Sequence, residues 1–351
     1  MTADTSTEPA ATGTGPDSWP AVSVIMPVLN EERHLADAVR QILAQDYPGG
    51  LELVIALGPS RDRTDEIAAG LVAADPRVRT VANPSGRTPS ALNAAIGATR
   101  HEIVVRVDGH GLLAPGYLRN AVRLLERTGA DNVGGVMHAE GQTVFEQAVA
   151  VAMTSKLGVG NAKFHTGGEA GPAETVYLGV FRRTTLEQLG GYNEAFVRAQ
   201  DWELNHRIIE AGGLVYFSPE LQVTYRPRPT FGTLAKQYLH YGRWRRVVMR
   251  THSGTASSRY LAPPAAVLAV IVGTLLGIVG LASGVALLNI GWIAPLGYLL
   301  GISAGALLES RSQSWAVRLR LPAVLATMHF SWGWGFLTSP MSLFRSTQKV
   351  N

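Results

Sequence analysis

The sequence predicts an α/β domain with a mostly parallel sheet, followed by a membrane-associated C-terminal part. From residue 22 to residue 107, short β-branched runs alternate with helical patterns, which is typical of parallel strands joined by helices. Two long apolar runs follow residue 260, and Glu309 is the only acidic residue after Glu220. A chain of 351 residues is long enough for both parts.

The elements of the parallel part are separated by turns rich in glycine, proline and serine. Asn30 is the predicted N-cap of the first helix, because a side-chain oxygen there can accept a bond from a free helical N–H. Thr88 and Pro89 predict the start of a later helix, with Thr88 as the cap and Pro89 at the first helical position. The predicted elements are strand 22–27, a helix from 30–32 to about 44, strand 51–57, helix 64–74, strand 78–81, helix 88–98 and strand 103–107.

Beyond residue 130 the spacing becomes less regular. Residues 158–174 are rich in glycine, alanine and lysine without a clear period, so we expect a mobile loop over the site. The other predicted elements are strand 133–137, helix 143–157, strand 177–181, helix 202–211 and strand 215–217.

The predicted site lies at the end of the strand in VVRVDGH, residues 104–110. In open α/β sheets, ligands bind outside the carboxyl ends of the strands, where Asp108 and His110 would lie. A carboxylate and an imidazole are suitable ligands for a divalent metal such as Mn²⁺ or Mg²⁺. Gly109 lets the backbone turn between them. The alternative is an ordinary polar turn, since Asp-Gly is a common turn pair.

Composition favours a globular domain joined to a membrane segment: 46% of the residues are hydrophobic and 17% are charged. No cysteine is present, which excludes disulfides and thiolate sites. The formal net charge is +4, and the excess of basic residues lies in the C-terminal half, beside the apolar runs. We interpret this as affinity for an anionic membrane surface and not for nucleic acid.

The N-terminal residues 1–19 predict a disordered tail without a signal peptide, so the domain at 20–230 is expected in the cytoplasm. Residues 231–259 read as a basic amphipathic interface helix and linker, with a helix packed on the sheet as the equal alternative. A transmembrane region is expected at 260–340, with spans at 261–282 and 285–308 and a third segment at 321–339 that either spans or lies in the interface. Arg311, Arg318 and Arg320 then lie in the cytoplasm by the positive-inside rule, and 341–351 form a tail.

Several motifs, in this order, resemble those of family 2 glycosyltransferases with the GT-A fold, a Rossmann-like fold. They cover about residues 22–250. The nearest subgroup is the succinoglycan-biosynthesis type, a group of membrane-attached bacterial glucosyltransferases. The motifs are SVIMPVLNEE at 23–32, DGH at 108–110, GVGN at 158–161, GGYNE at 190–194 and AQDWELN at 199–205.

The resemblance implies transfer of a sugar from a nucleotide-sugar donor to an acceptor hydroxyl, with inversion at the anomeric carbon. Asp201 would be the catalytic base, although an acid at a helix start is also favoured by the helix dipole. Asp108 and His110 would hold the metal. The residues expected to contact the nucleotide sugar are Glu31, Asp62, Arg87 and Asp108.

Gln200 and Trp244 are the acceptor candidates implied by the resemblance. For Trp244, membrane anchorage is the equal alternative. The family usually has an aspartate at the end of the second strand that contacts the base, and Leu57 stands there in this chain. UDP remains the expected nucleotide, while GDP or a sugar-lipid donor becomes a stronger alternative.

Three functions stay open at this point. The first is a membrane-anchored glycosyltransferase at the inner membrane that acts on a lipid-linked saccharide in cell-surface polysaccharide synthesis. The second transfers a sugar to polyprenyl phosphate, an acceptor that is already ionised. The third is a catalytically inactive membrane scaffold that binds nucleotide or glycan. Too few spans are predicted for a transporter.

Overall fold

The structure is a computed structural model that describes residues 19–344. The predicted tail at 1–19 therefore lies outside the described residues except for Trp19, and so does most of the tail at 341–351. The N-terminal half is a regular succession of strands and helices. Its elements are β1 (Val22–Val28), α1 (Leu35–Leu43), β2 (Leu51–Leu57), α2 (Thr64–Ala74), β3 (Val78–Ala82), α3 (Thr88–Ala98) and β4 (Ile103–Arg106).

These four strands lie side by side and parallel in the order β3-β2-β1-β4. Val24 of β1 pairs with Leu53 of β2 on one side and with Val105 of β4 on the other. The strands are continuous apolar runs because helices cover both faces of the sheet. Helices α1 and α2 pack on one face and α3 on the other. The predicted α/β fold with its parallel strands is confirmed.

The start of α1 was predicted wrongly. Asn30 is not an N-cap: its φ is 56°, and the helix begins at Leu35 after His34. The side chain of Asn30 instead accepts a hydrogen bond from the N–H of Arg61 at 2.8 Å. Helix α3 begins at Thr88 as predicted, but Arg87 and not Thr88 is the capping residue.

The second half extends the sheet with mixed pairing. Its elements are β5 (Leu112–Leu113), α4 (Tyr117–Thr128), β6 (Asn132–Ala139), α5 (Val144–Thr154), α6 (Lys156–Val159), α7 (Lys163–Thr166), β7 (Gly171–Pro172), β8 (Tyr177–Arg182), α8 (Arg183–Gln188), α9 (Gln200–Glu210) and β9 (Val215–Tyr225). β8 lies antiparallel between β4 and β6. The full order is β3-β2-β1-β4-β8-β6-β9-β5, with β7 beside β9.

The stretch at 158–174 is not a structureless loop. It contains the last turn of α6, the short helix α7 and the strand β7. Ring nitrogen Nε2 of His329 lies 2.8 Å from the carbonyl of Leu157, just before this stretch, and Arg259 pairs with Glu174 inside it at 2.9 Å. These contacts attach the stretch to the C-terminal helices.

Four helices complete the described chain: α10 (Phe231–Thr251), α11 (Ser258–Ser283), α12 (Ile293–Glu309) and α13 (Trp315–Leu337), with a 3₁₀ segment at Ala286–Trp292 before α12. Within residues 19–344, two segments are long and apolar enough to cross a membrane, Ser258–Ser283 and Ala286–Glu309. Only 22% and 17% of their most apolar windows are buried inside the chain.

The third predicted segment behaves differently. Helix α13 is buried along one side and packs against α5, α10, α11 and α12. Helix α10 packs mainly against α13, and it also meets the sheet, where Nε2 of Gln237 donates to the hydroxyl of Tyr225 at 2.9 Å. The two helices approach so closely that a Cβ at Gly242 would lie 1.9 Å from the carbonyl oxygen of Trp332.

Candidate active site

Four loops follow the carboxyl ends of the parallel strands, and each contributes at least one predicted site residue. Glu31 follows β1, Asp62 follows β2, Arg87 follows β3 and Asp108 follows β4. Parallel strands end at the same edge of a sheet, so the topology brings these loops to one edge. Arg87 caps α3, and its carbonyl accepts a hydrogen bond from Nδ2 of Asn83 at 3.1 Å.

The first two loops are fastened to each other. The N–H of Glu31 donates to Oγ1 of Thr64 at 2.8 Å, and the N–H of Glu32 donates to Oδ2 of Asp62 at 3.2 Å. The hydroxyl of Thr64 also donates to Oδ1 of Asp62 and, with the N–H groups of Glu32 and Thr64, lowers the pKa of that carboxyl. Asp62 therefore joins the loops in addition to any contact it makes with a ligand.

The centre of the site is Arg106, which sequence reasoning missed. Its Nε and Nη2 donate to Oδ1 of Asp108 at 3.1 and 3.0 Å, and its Nη1 donates to Oδ1 of Asp201. Its side chain is only 3% exposed. Burial alone lowers the pKa of Arg106, but the charge on Asp108 helps to outweigh this effect, and the net shift is upward. A charged guanidinium thus brings Asp108 and Asp201 together.

The signal for Arg106 was present in the sequence. An arginine inside the apolar run VVRV must pair its charge somewhere, because an unpaired buried charge is costly. The ring of Tyr192 supplies a further contact, 5.8 Å from the guanidinium carbon. Only the topology, however, identifies the partners, because Asp201 lies on another element 95 residues away.

His110 lies beside Asp108 but pairs with a different carboxylate. Its Nδ1 lies 2.8 Å from Oε1 of Glu31. This hydrogen bond raises the pKa of the imidazole against the effect of burial. A Cβ at position 109 would lie 3.2 Å from Cγ of Glu31, so Gly109 allows the two loops to meet. The side-chain hydrogen bond that the structure shows for Glu31 is this one with His110.

A polar cavity of about 250 Å³ opens beside His110. Two arginines and one acid are among the residues that line it, which suits an anionic or hydroxyl-rich ligand. The lining residues besides His110 are His34, Asp37, Arg40, Gln41, Leu112 and Arg226.

The comparisons with known proteins identify the family. The sequence model described as "Glycosyl transferase family 2" matches residues 23–190. The succinoglycan biosynthesis protein ExoA of Rhizobium meliloti is 31% identical over 317 residues, which cover 89% of this chain and 93% of that protein. The chain belongs to glycosyl transferase family 2. The predicted resemblance, including its succinoglycan-biosynthesis type, is confirmed, and the protein is a transferase enzyme.

Two more distant comparisons extend over much of the chain. A dolichyl N-acetyl-alpha-D-glucosaminyl phosphate 3-beta-D-2,3-diacetamido-2,3-dideoxy-beta-D-glucuronosyltransferase of Methanococcus voltae is 22% identical over 65% of this chain and 74% of that protein. The solved mannosyltransferase PcManGT of Pyrobaculum calidifontis, in complex with GDP-Man and Mn²⁺, has a TM-score of 0.57 at 21% identity. It covers 91% of this chain and 90% of its own, and this likeness supports the fold.

The family 2 motif AQDWELN forms the start of α9. Ala199 adopts a φ of 60° immediately before the helix, and this turn brings Gln200 and Asp201 to the first positions of α9. The side chain of Asp201 is 37% exposed, so one face of the carboxylate can meet a ligand while Arg106 holds the other.

The structure supports neither acceptor binding nor membrane anchorage for Trp244. Its side chain is 4% exposed and packs against Phe196, with ring centroids 6.2 Å apart. A buried ring can neither stack on an acceptor sugar nor anchor in a lipid interface. The acceptor role expected for Trp244 is therefore wrong for this structure, and Gln200 is left as the acceptor candidate.

Proposed function

We propose that this family 2 enzyme is membrane-anchored and inverting, and that it transfers a hexose from UDP to a lipid-linked saccharide during cell-surface polysaccharide synthesis. The observation that carries the proposal is the bridge from Asp108 through Arg106 to Asp201. It brings a candidate metal ligand and a candidate base to the same guanidinium, and displacement of a nucleotide from a sugar requires both groups close together.

Asp108 and His110 are proposed to hold Mn²⁺ or Mg²⁺, and the chemistry of the two groups fits. Both bonds from Arg106 go to Oδ1 of Asp108, which leaves Oδ2 for a cation. Nδ1 of His110 faces Glu31, which leaves Nε2. Histidines that bind metals commonly have their other ring nitrogen hydrogen-bonded to a carboxylate, which orients the imidazole. When bound, the cation neutralises the charge that develops on the departing diphosphate.

Asp201 is proposed as the base that activates the acceptor. The acceptor oxygen forms a bond to the anomeric carbon while the bond from that carbon to the diphosphate oxygen breaks. The bonding electrons leave with the nucleoside diphosphate, and Asp201 takes the hydroxyl proton. Arg106 fixes Oδ1 of Asp201 and leaves Oδ2 to receive that proton. Attack from the face opposite the leaving group inverts the anomeric configuration.

Glu31, Asp62 and Arg87 are proposed to line the nucleotide side of the site, because their loops leave the same edge of the parallel sheet as the loop that holds Asp108. UDP is the first choice of nucleotide. Leu57 ends β2 without an acid, so a hydrogen bond from that position to uracil is absent. GDP is the alternative, and GDP-Man is the ligand named for the solved mannosyltransferase.

Membrane anchorage is proposed from the side chains that α11 and α12 expose. Leu275, Leu281, Leu296 and Leu300 are each more than half exposed, and contiguous apolar surface of this kind is rare on a soluble protein. We propose a catalytic domain at 20–230, a basic helix and linker at 231–259 and a membrane region at 260–340. Arg311, Arg318 and Arg320 favour the inner membrane with the catalytic domain in the cytoplasm.

A lipid-linked acceptor follows from that anchorage, since an enzyme held at the membrane meets its acceptor there. The name of the Methanococcus voltae relative describes a dolichyl-linked sugar phosphate, and this supports the choice of a lipid-linked acceptor. Gln200, next to Asp201, is proposed to bind the acceptor sugar.

The test uses the purified full chain in detergent micelles with Mn²⁺ and labelled UDP-glucose, UDP-galactose and GDP-mannose. Each is offered a lipid-linked saccharide or polyprenyl phosphate, and Asp201→Asn is the control. We expect label from a UDP-hexose in the saccharide, and none with the variant. Transfer from GDP-mannose alone would overturn the UDP assignment, and label on polyprenyl phosphate alone would overturn the acceptor assignment. The absence of transfer in every combination would favour an inactive scaffold.

A further inference from the structure

A second group of ligand-type side chains lies at the far end of α9, away from Asp201. His206 and Glu210 are one helical turn apart and therefore share a face. His252, the residue after α10, meets them from the other side. One nitrogen from each imidazole and one oxygen of the carboxylate all lie within 4.8 Å of one another.

The two imidazoles meet without a hydrogen bond to explain their position. Nε2 of His206 and Nε2 of His252 are both buried and both lack a hydrogen-bond partner within the described residues. Nε2 of His206 lies 3.2 Å from Oε1 of Glu210, but the pair lacks hydrogen-bond geometry. The ring centroids of the two histidines are 4.9 Å apart at 80°. Buried polar atoms normally have a bonding partner, so two unpartnered ring nitrogens that face one carboxylate indicate an ion bound between them.

The surroundings keep the rings in place. Trp202 stacks on His206 with centroids 4.9 Å apart at 18°, and Phe196 lies 5.8 Å from the ring of His252. Glu203, which lies 3.9 Å from Nε2 of His252, is already neutralised by two 2.9 Å bonds from Arg207.

We propose that His206, Glu210 and His252 form a zinc site, separate from the metal proposed at Asp108 and His110. Two imidazoles and a carboxylate are a ligand set that zinc uses, with water in the fourth position. Tetrahedral zinc with bonds of about 2.0–2.2 Å needs its ligand atoms about 3.4 Å apart. The side chain of Glu210 is 58% exposed and can move to close the remaining gap.

The site would link the helix that bears Asp201 to the helix that leads into the membrane region. α9 begins with Gln200 and Asp201 and carries His206 and Glu210 toward its end, while His252 follows the last residue of α10. A cation at this point would cross-link the two helices and stabilise the folded state by an amount that rises with the logarithm of its concentration above the Kd.

The experiment uses the full chain in detergent micelles, stripped with a chelator, equilibrated with Zn²⁺ and washed. Bound zinc is counted by mass spectrometry, and Co²⁺ is used as a spectroscopic substitute. We expect one tightly bound zinc per chain in the wild type, tetrahedral Co²⁺ absorption bands, and a thermal unfolding midpoint that rises with Zn²⁺. The double variant His206→Asn with His252→Asn should lose all three.

Two controls separate this site from others. His240→Asn removes an imidazole from α10 outside the cluster, and Asp108→Asn impairs the metal proposed for sugar transfer; both should still bind zinc. Glu210→Gln alters an exposed side chain and leaves the packing intact, and it should weaken zinc binding at least about tenfold, since even outer-shell changes cost that much. A wild type without stoichiometric zinc, or a Glu210→Gln variant that binds as tightly as wild type, overturns the proposal. Neither outcome bears on sugar transfer.

Discussion

Two groups of charged side chains lie at opposite ends of the parallel strands, and they satisfy their carboxylates differently. At the amino ends, Glu52 of β2 accepts bonds from the hydroxyl of Ser23, Nη2 of Arg79 and the N–H of Arg100, at 2.7, 2.7 and 2.6 Å. At the carboxyl ends, one guanidinium, that of Arg106, serves both Asp108 and Asp201.

The network around Glu52 stabilises the fold, whereas the network of Asp108, Arg106 and Asp201 is the one proposed to take part in sugar transfer. Glu52 is 7% exposed and is surrounded by donors from its own fold. Asp108 and Asp201 have side chains that are 23% and 37% exposed and share a single positive charge. The carboxyl end therefore holds excess negative charge that faces solvent, where a cation or an acceptor proton can bind.

The largest expected effect comes from Asp201→Asn. Loss of the base should lower turnover by about 10²–10⁴-fold, while binding of the nucleotide sugar and the free energy of unfolding stay nearly unchanged because the carboxylate is partly exposed. Initial rates and donor titration measure the two quantities. Turnover within experimental error of wild type would remove Asp201 from the mechanism.

Arg106→Met should affect both stability and turnover. The free energy of unfolding should fall by about 1–3 kcal/mol, less than for a fully enclosed ion pair because both carboxylates reach water. Turnover should fall as well, since Asp201 loses the group that orients it. Arg106→Lys is the matched control: it keeps the charge without the planar fork and should recover only part of the stability. Full turnover in Arg106→Met would show that the bridge is structural only.

Glu31→Gln should lower the affinity for the metal, and also the affinity for the nucleotide to the extent that Glu31 contacts it. The amide keeps the shape of the side chain but loses the charge that orients His110, so Mn²⁺ affinity should fall by about 10–100-fold. Electron paramagnetic resonance of Mn²⁺ measures the affinity, and thermal unfolding without metal should match wild type. If Mn²⁺ affinity stays the same while affinity for the nucleotide falls, Glu31 acts on the nucleotide instead.

Glu52→Gln should have the smallest effect of the four substitutions. It should lower the free energy of unfolding and leave turnover unchanged. The hydrogen bonds from Ser23, Arg79 and Arg100 outweigh burial and hold the pKa of Glu52 below its usual 4.5. This stabilisation is present above pH 4.5 and is lost as the pH falls through the folded-state pKa. We expect a loss of about 1–2 kcal/mol at pH 7, which shrinks in acid. Denaturant unfolding followed by tryptophan fluorescence tests this, and a loss independent of pH would contradict it.

Much of the fold could be predicted because its signals are local. The apolar runs of β1, β2 and β4 and the helical spacing of α2 and α3 lie within single segments, and their bounds agree with the structure to within about a residue. The start of α1 could not be predicted in this way. Asn30 has the side chain of a good cap, but it uses its oxygen for Arg61 on a neighbouring loop, and the contact exists only once the sheet has formed.

The same distinction between local and long-range signals applies to the candidate site. Asp108, His110 and Asp201 could be selected from motifs, whereas the contacts that give them roles are long-range. Arg106 reads as part of a strand, and the partner of Glu31 is 79 residues away. His206 and His252 carry no motif and meet only because α9 and α10 are adjacent. Trp244 failed as an acceptor residue because its burial depends on Phe196, which its own helix does not contain.

The placement of α13 has a consequence for biosynthesis. This helix is translated after α1 to α12, yet both α5 and α10 pack against it. Until it is synthesised, the nascent chain presents the apolar side chains of both helices to water or to chaperones. If α11 and α12 insert into the membrane as proposed, they can do so before α13 covers α5 and α10, and this part of the fold is then completed at the membrane.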